Sequence, residues 1–249
     1  MISNRFAIAA AAGLLLAASG ASAASLSKNQ NGPTTRTGQQ VLLPPGPASI
    51  TQNTNAATIT VGNSVSCNNG AANGFEHTDN SYYRGFTLSS FNPPLDSLQF
   101  MVQTVQIGVE QANDGAGAGQ PITAHVYDST TNPPTLASIG APLSSQPVNV
   151  ADQALSLLNI PLTIQPVLIN ASDILVVEIF TPNGSVPNHS FFIGSNALGQ
   201  SGPSFIRAAD CGIAQITNLA AINFANMHIV MTVSGNNQVP VELQTFSVD

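Results

Sequence analysis

From Ile50 onward, apolar runs of roughly five to nine residues alternate with breaks rich in Gly, Pro, Asn and Asp, a spacing that suits short strands in a sandwich. Ile122, Ala124 and Val126 alternate with Thr123, His125 and Tyr127. This period of two gives one apolar face and predicts a half-buried strand. Met227, Ile229, Met231 and Val233 repeat the pattern against His228, Val230 and Thr232. Ile174 to Phe180 is apolar on both faces, as a central strand must be. Phe100 and Val102 are out of phase with Val105, Ile107 and Val109, which predicts a β-bulge or strand break between the two sets. Pro133-Pro134, Pro93-Pro94, Asn113-Asp114-Gly115 and Asn183-Gly184 read as turns. Ala151 to Leu158 has some helical propensity, but Pro161 cuts it short. The expected fold is all-β, an antiparallel β-sandwich of jelly-roll-like type.

The N-terminal part differs. Arg5 followed by the apolar run Phe6 to Ala18 and by Ala21-Ser22-Ala23 has the form of a cleaved secretory signal peptide. The run is too short to span a bilayer, which takes about 20 apolar residues. Residues 24–48 carry Ser, Asn, Gln, Thr, Gly and Pro without periodicity and end in Pro44-Pro45-Gly46-Pro47, so they read as a flexible, disordered leader. The resulting division is a signal peptide over 1–23, a leader over 24–48 and a sandwich domain over 49–249.

Composition narrows the function. Charged residues make up 7% of the chain and its net charge is −7, against about a quarter charged in ordinary globular proteins. With 5 Lys+Arg, the chain lacks the basic clusters that nucleic acid or an anionic membrane surface requires. No segment after the signal peptide is long and apolar enough to be an integral membrane helix. Export implies an extracellular, cell-surface or periplasmic location. There, Cys67 and Cys211 are expected to form a disulfide, worth about 4–5 kcal/mol in the chain-entropy picture for a loop this long.

Signatures of chemistry are absent. There is no G-x-S-x-G, H-E-x-x-H, P-loop or G-x-G-x-x-G. The densest polar stretch is Glu76-His77-Thr78-Asp79-Asn80-Ser81-Tyr82-Tyr83-Arg84. Glu76, His77, Asp79, Tyr82, Tyr83 and Arg84 are the candidate binding residues, and no catalytic residue is assigned. Glu76 and Asp79 have the oxygen ligands for Ca²⁺; His77 and Asp79 have the types for a base and its orienting acid. The structural alternative is a polar turn pinned by Arg84 paired with Asp79 or Glu76, with His77 contributing little to stability. His125 and His228 read as hydrogen-bonded strand residues.

Several segments resemble a recurrent secreted bacterial module of extracellular and surface proteins. They are Asp79 to Phe86, Asp173 to Pro182, Asn188 to Gly199, Ala209 to Ile213 and Asn226 to Met231. The resemblance spans residues 50–235 and implies a β-sandwich in an extracellular setting without supplying a reaction. The expectation is therefore a secreted, non-enzymatic protein that binds or assembles with a protein or glycan of the surface or matrix. One alternative is an extracellular hydrolase of polysaccharide or polymer, drawing on Glu76, His77, Asp79, Glu110 or Glu178. The other is a carbohydrate-binding module stabilised by Ca²⁺.

Overall fold

The computed structural model describes residues 24–30, 32–40, 48–70, 76–91, 99–114, 119–163, 167–170, 172–184 and 189–238. The expected signal peptide, the Pro93-Pro94 turn and residues 239–249 lie outside them. In chain order the strands begin with β1 (Ser25–Lys28), β2 (Ala48–Thr51), β3 (Val65–Asn68), β4 (Asn80–Thr87), β5 (Gln99–Asn113) and β6 (Gln120–Ser129). A single helical turn α1 (Leu136–Ile139) precedes β7 (Ser144–Val150), β8 (Gln153–Pro161), β9 (Val167–Ile169) and β10 (Ile174–Thr181). The remainder are β11 (Ser190–Ile193), β12 (Ser195–Asn196), β13 (Ser204–Ala208), β14 (Ile213–Asn218), β15 (His228–Ile229) and β16 (Met231–Gln238).

Two six-stranded antiparallel sheets face each other. The first runs β14-β13-β4-β10-β6-β7; the second is built on β5, which pairs with β16, β11, β8 and β9, while β16 also pairs with β2. The all-β sandwich read from the sequence is thus the fold. Its core takes the inward row of every strand: Ile122, Ala124 and Val126 from β6, Leu175, Val177 and Ile179 from β10, and Val105, Ile107 and Val109 from β5. Burying such rows stabilises by about 25 cal/mol per Å² of apolar surface.

β10 is apolar on both faces for a visible reason. Its outward Val176 packs in a second, smaller cluster with Tyr83, Tyr127, Phe205 and Ile139. Helical turn α1 lays Ile139 and Leu136 on that cluster and is held by a capping box, in which Thr135 Oγ1 accepts from Ser138 N–H and Ser138 Oγ accepts from Thr135 N–H. The phase shift along β5 is a bulge. Ser234 faces Thr104 and Gly235 faces Val102, so Gln103 has no partner across the strand. A side chain at Gly235 would meet the Met101 carbonyl, so the bulge requires glycine there. Ala151 to Leu158 forms no helix; most of it lies in β8. The Met227 to Val233 alternation is broken at Val230 into β15 and β16.

Within the leader expected over 24–48, described residues pair with other strands. Ser25 to Lys28 pair antiparallel with Asn68 to Val65. Asn29 is buried and its Nδ2 donates to Gln111 Oε1 at 2.9 Å. Thr37 exchanges both backbone hydrogen bonds with Ala154 on β8, and Leu157 N–H donates to Gln39 O at 2.8 Å. The leader therefore straps two sheet margins through its backbone. Such pairing needs no apolar periodicity, which is why polar residues can form it.

The Cys67–Cys211 disulfide is present, with Cα atoms 5.9 Å apart and a sequence separation of 144. It ties β3 to the turn after β13. Among the described residues no helix is long and apolar enough to cross a membrane.

Candidate functional site

The six residues of the polar stretch do not form one site. Strand alternation in β4 sends Tyr82, Arg84 and Phe86 toward the opposite sheet and Tyr83 to the outer face. Tyr82 donates to Val65 O at 3.0 Å in the core. Asp79 is exposed, and Glu76 accepts from Asn69 Nδ2 at 2.7 Å.

Arg84 does not pair with Asp79 or Glu76, because its alternation points it away from the turn and into the interior. It is fully buried, and its guanidinium meets neutral acceptors. Nη1 donates to Gly202 O at 2.8 Å and to Gln52 Oε1 at 3.2 Å, while Nε and Nη2 both donate to Ile229 O. Burial pulls its pKa down to about 9, which still leaves it charged at neutral pH. Gln52 follows β2 and Ile229 ends β15, so Arg84 crosslinks the two layers.

His77 is fully buried as well. Its Nδ1 lies 3.3 Å from His189 O and its Nε2 lies 3.1 Å from Gln120 Nε2. An amide N–H can only donate, so this arrangement fits the Nδ1–H tautomer. Burial pushes its pKa from 6.5 to about 4, which holds the ring neutral. Glu110, on the other sheet, accepts from Gly62 N–H at 2.9 Å and Ser64 N–H at 3.0 Å. It holds a loop, and burial pushes its pKa up. Among the described residues no group of three or more His, Cys, Asp or Glu is placed to hold a metal ion.

The strand register assembles a different cluster. On the outer face of the first sheet, Glu178 on β10 stands between Tyr83 on β4 and His125 on β6. The row continues to Phe205 on β13 and to Ser145 on β7. Glu178 accepts from Tyr83 Oη at 2.9 Å on one carboxylate oxygen and from Tyr127 Oη on the other. His125 Nδ1 lies 2.8 Å from Ser145 Oγ. Its ring sits 6.1 Å from that of Tyr127 and 6.5 Å from that of Phe180.

Electrostatics fix the protonation of this cluster. Burial and then the Glu178 charge raise the Tyr83 pKa; burial and then the Glu178 hydrogen bond raise that of Tyr127. Both phenols therefore remain donors at neutral pH. The Arg207 charge acts on both tyrosines in the opposite sense. Burial lowers the His125 pKa and the Glu178 charge offsets part of that, so the ring is a neutral imidazole able to donate and accept. Tyr83 and Glu178 were visible in the sequence as candidates. His125 and Tyr127 were visible only as strand residues, because cross-strand register is what joins them.

No family model matches the chain, and no curated protein does either. A solved structure titled as the cysteine protease and lectin-like domains of Cwp84, a surface layer associated protein of Clostridium difficile, is similar to it at 12% identity and a TM-score of 0.44. The likeness covers 65% of this chain and 33% of that one, so the chain spans a third of that structure's length.

Proposed function

We propose that this chain is a secreted, non-enzymatic β-sandwich that binds or assembles at the cell surface or in the extracellular matrix. The supporting observation is the engagement of its acid–base groups in separate structural roles. His77 is neutral under Gln120, Glu110 holds backbone N–H groups, and both Glu178 oxygens accept phenol protons. A long-range disulfide fits an oxidising compartment.

The hydrolase alternative draws on the row Ser145, His125, Glu178, which has the residue types of a nucleophile, base and orienting acid. In that chemistry the carboxylate holds the imidazole, whereas here it is held by two tyrosines. The test is fractionation of the producing culture, combined with incubation of the purified protein with polysaccharide and ester substrates. The chain should be recovered with the envelope or medium and give no turnover. Turnover that disappears in His125→Ala would replace this reading with the hydrolase.

A further inference from the structure

The outer face of the first sheet is covered over only part of its area. Helical turn α1 caps the end around Val176, Tyr127 and Ile139. Toward the Thr181 end of β10 the cover stops, leaving Phe180, His125, Thr123 and Arg207 half-exposed. Beside them lies a hollow of about 230 Å³ lined by Thr123, Pro147, Asn149 and Pro182, among others. Thr123 and Pro147 are cross-strand partners one step beyond His125 and Ser145, so the hollow continues the same row.

We propose that this uncovered half-face, from His125 through Phe180 into the hollow, binds a neutral saccharide. The inference rests on the surface-binding reading above and names its ligand class and site. Three features select that ligand.

The first is charge. The whole chain at −7 opposes an anion.

The second is hydrogen bonding. The half-exposed Ser145 hydroxyl and the neutral His125 imidazole each donate and accept, as sugar hydroxyls do. With Nδ1 of His125 turned to Ser145 Oγ, the other ring nitrogen remains for a ligand. The His125–Ser145 hydrogen bond already orders both groups, so little side-chain freedom is lost on binding.

The third is shape. The half-exposed rings of His125 and Phe180 lie 6.5 Å apart, an apolar surface for the C–H face of a sugar ring. The hollow is smaller than the roughly 300–1,000 Å³ of drug-sized sites, which suits one ring of a longer chain. A protein partner would need about 800 Å² per side with an apolar centre, whereas this patch offers one half-exposed phenylalanine.

The test is co-sedimentation of the secreted chain with envelope fragments of the producing cells. The fragments are used untreated, protease-treated, or oxidised with periodate, which cleaves vicinal diols. Binding should survive protease and fall at least tenfold after periodate. His125→Ala and Phe180→Ala, both half-exposed and checked by thermal melting, should each weaken binding at least tenfold, while Glu76→Gln should not. Binding that survives periodate but not protease would overturn the saccharide and leave the surface-binding reading intact. Periodate-sensitive binding that both site variants retain would overturn this location. No binding to any fragments would overturn both the inference and the reading beneath it.

Discussion

Replacing Arg84 by alanine removes every donor that meets Ile229 O, Gly202 O and Gln52 Oε1. Burial alone disfavours the guanidinium, since a pKa drawn from 12.5 to about 9 corresponds to about 5 kcal/mol against the charged form. Hydrogen bonds from a charged donor contribute about 1.5–3 kcal/mol each, enough for these four to offset that cost. Truncation reverses the balance. Gln52 can turn toward another partner, but the two backbone carbonyls cannot, and each orphaned acceptor costs about 1–3 kcal/mol. The vacated stem adds a cavity. The expected loss is about 4–5 kcal/mol for Arg84→Ala and about 3 kcal/mol for Arg84→Met, which refills the stem but restores no donor. Urea unfolding followed by far-UV circular dichroism measures both. The loss should not change between low and high salt, because no carboxylate partner is being screened. Glu76→Gln and Asp79→Asn should each cost under about 1 kcal/mol. An Arg84→Ala protein within 1 kcal/mol of the parent, or an equal loss on neutralising Asp79, would refute the assigned orientation of Arg84.

Thiol titration of the denatured, unreduced protein should find no free thiol, and Cys67→Ala should cost about 4 kcal/mol while the far-UV spectrum stays β-like. Acid should destabilise through His77, whose proton is taken up near 6.5 when unfolded but only near about 4 when folded. The stability is thus present above 6.5, is lost as pH falls through that interval, and amounts to about 3 kcal/mol at most. His77→Gln should flatten the dependence of the urea midpoint on pH. Glu110, with its pKa raised, works in the opposite direction, so Glu110→Gln should steepen the acid loss. A chain beginning at Ser49 should lose more than about 2 kcal/mol in the same assay, because it uncovers the margins of β3 and β8; an unchanged midpoint would return residues 24–48 to the status of a dispensable leader.

The strands that could be read were those whose side chains report burial. Ile122, Ala124 and Val126 face a core on one side only, and Ile174 to Phe180 gave its position away because β10 has apolar neighbours on both sides. The bulge at Gln103 was legible since one extra residue inverts a period of two. The strap of residues 25–40 was not, because its partners are backbone groups. The side of β4 that Arg84 takes is hidden in the sequence for a related reason. Aromatic residues flank it on both faces of β4, so composition could not say which face was inside; the parity with Tyr82 and Phe86 decides it. The Glu178 cluster draws on β4, β6, β7 and β10, and nothing local in any one strand specifies the register that joins them.

A chain with 7% charged residues must still satisfy the polar groups of its loops, and here neutral amides do so. Asn80 accepts from Cys67 N–H at 2.8 Å and returns a hydrogen bond to Cys67 O at 3.1 Å, so its side chain extends the margin of β3 as a strand would. Asn196 donates to Asn55 O and Thr58 O, and Asn63 donates to Ser195 Oγ and Asn226 O, fastening the loops that flank β12 and β15. Burying an amide with its hydrogen bonds made costs far less than burying an ion. Neither the charge state of such a linkage nor its strength depends on neutral pH or on salt. Among the charged exceptions, Glu110 holds a loop by its backbone N–H groups, and two others carry information. Arg84 is a charge buried among carbonyls, where one guanidinium reaches three separate acceptors that no single amide could span. Glu178 is a carboxylate held by two phenols at the edge of an uncovered face. The first is explained by the sandwich it crosslinks. The second faces away from the main core and fixes the phenols of Tyr83 and Tyr127 in the smaller outer cluster, beside the half-face proposed to bind saccharide.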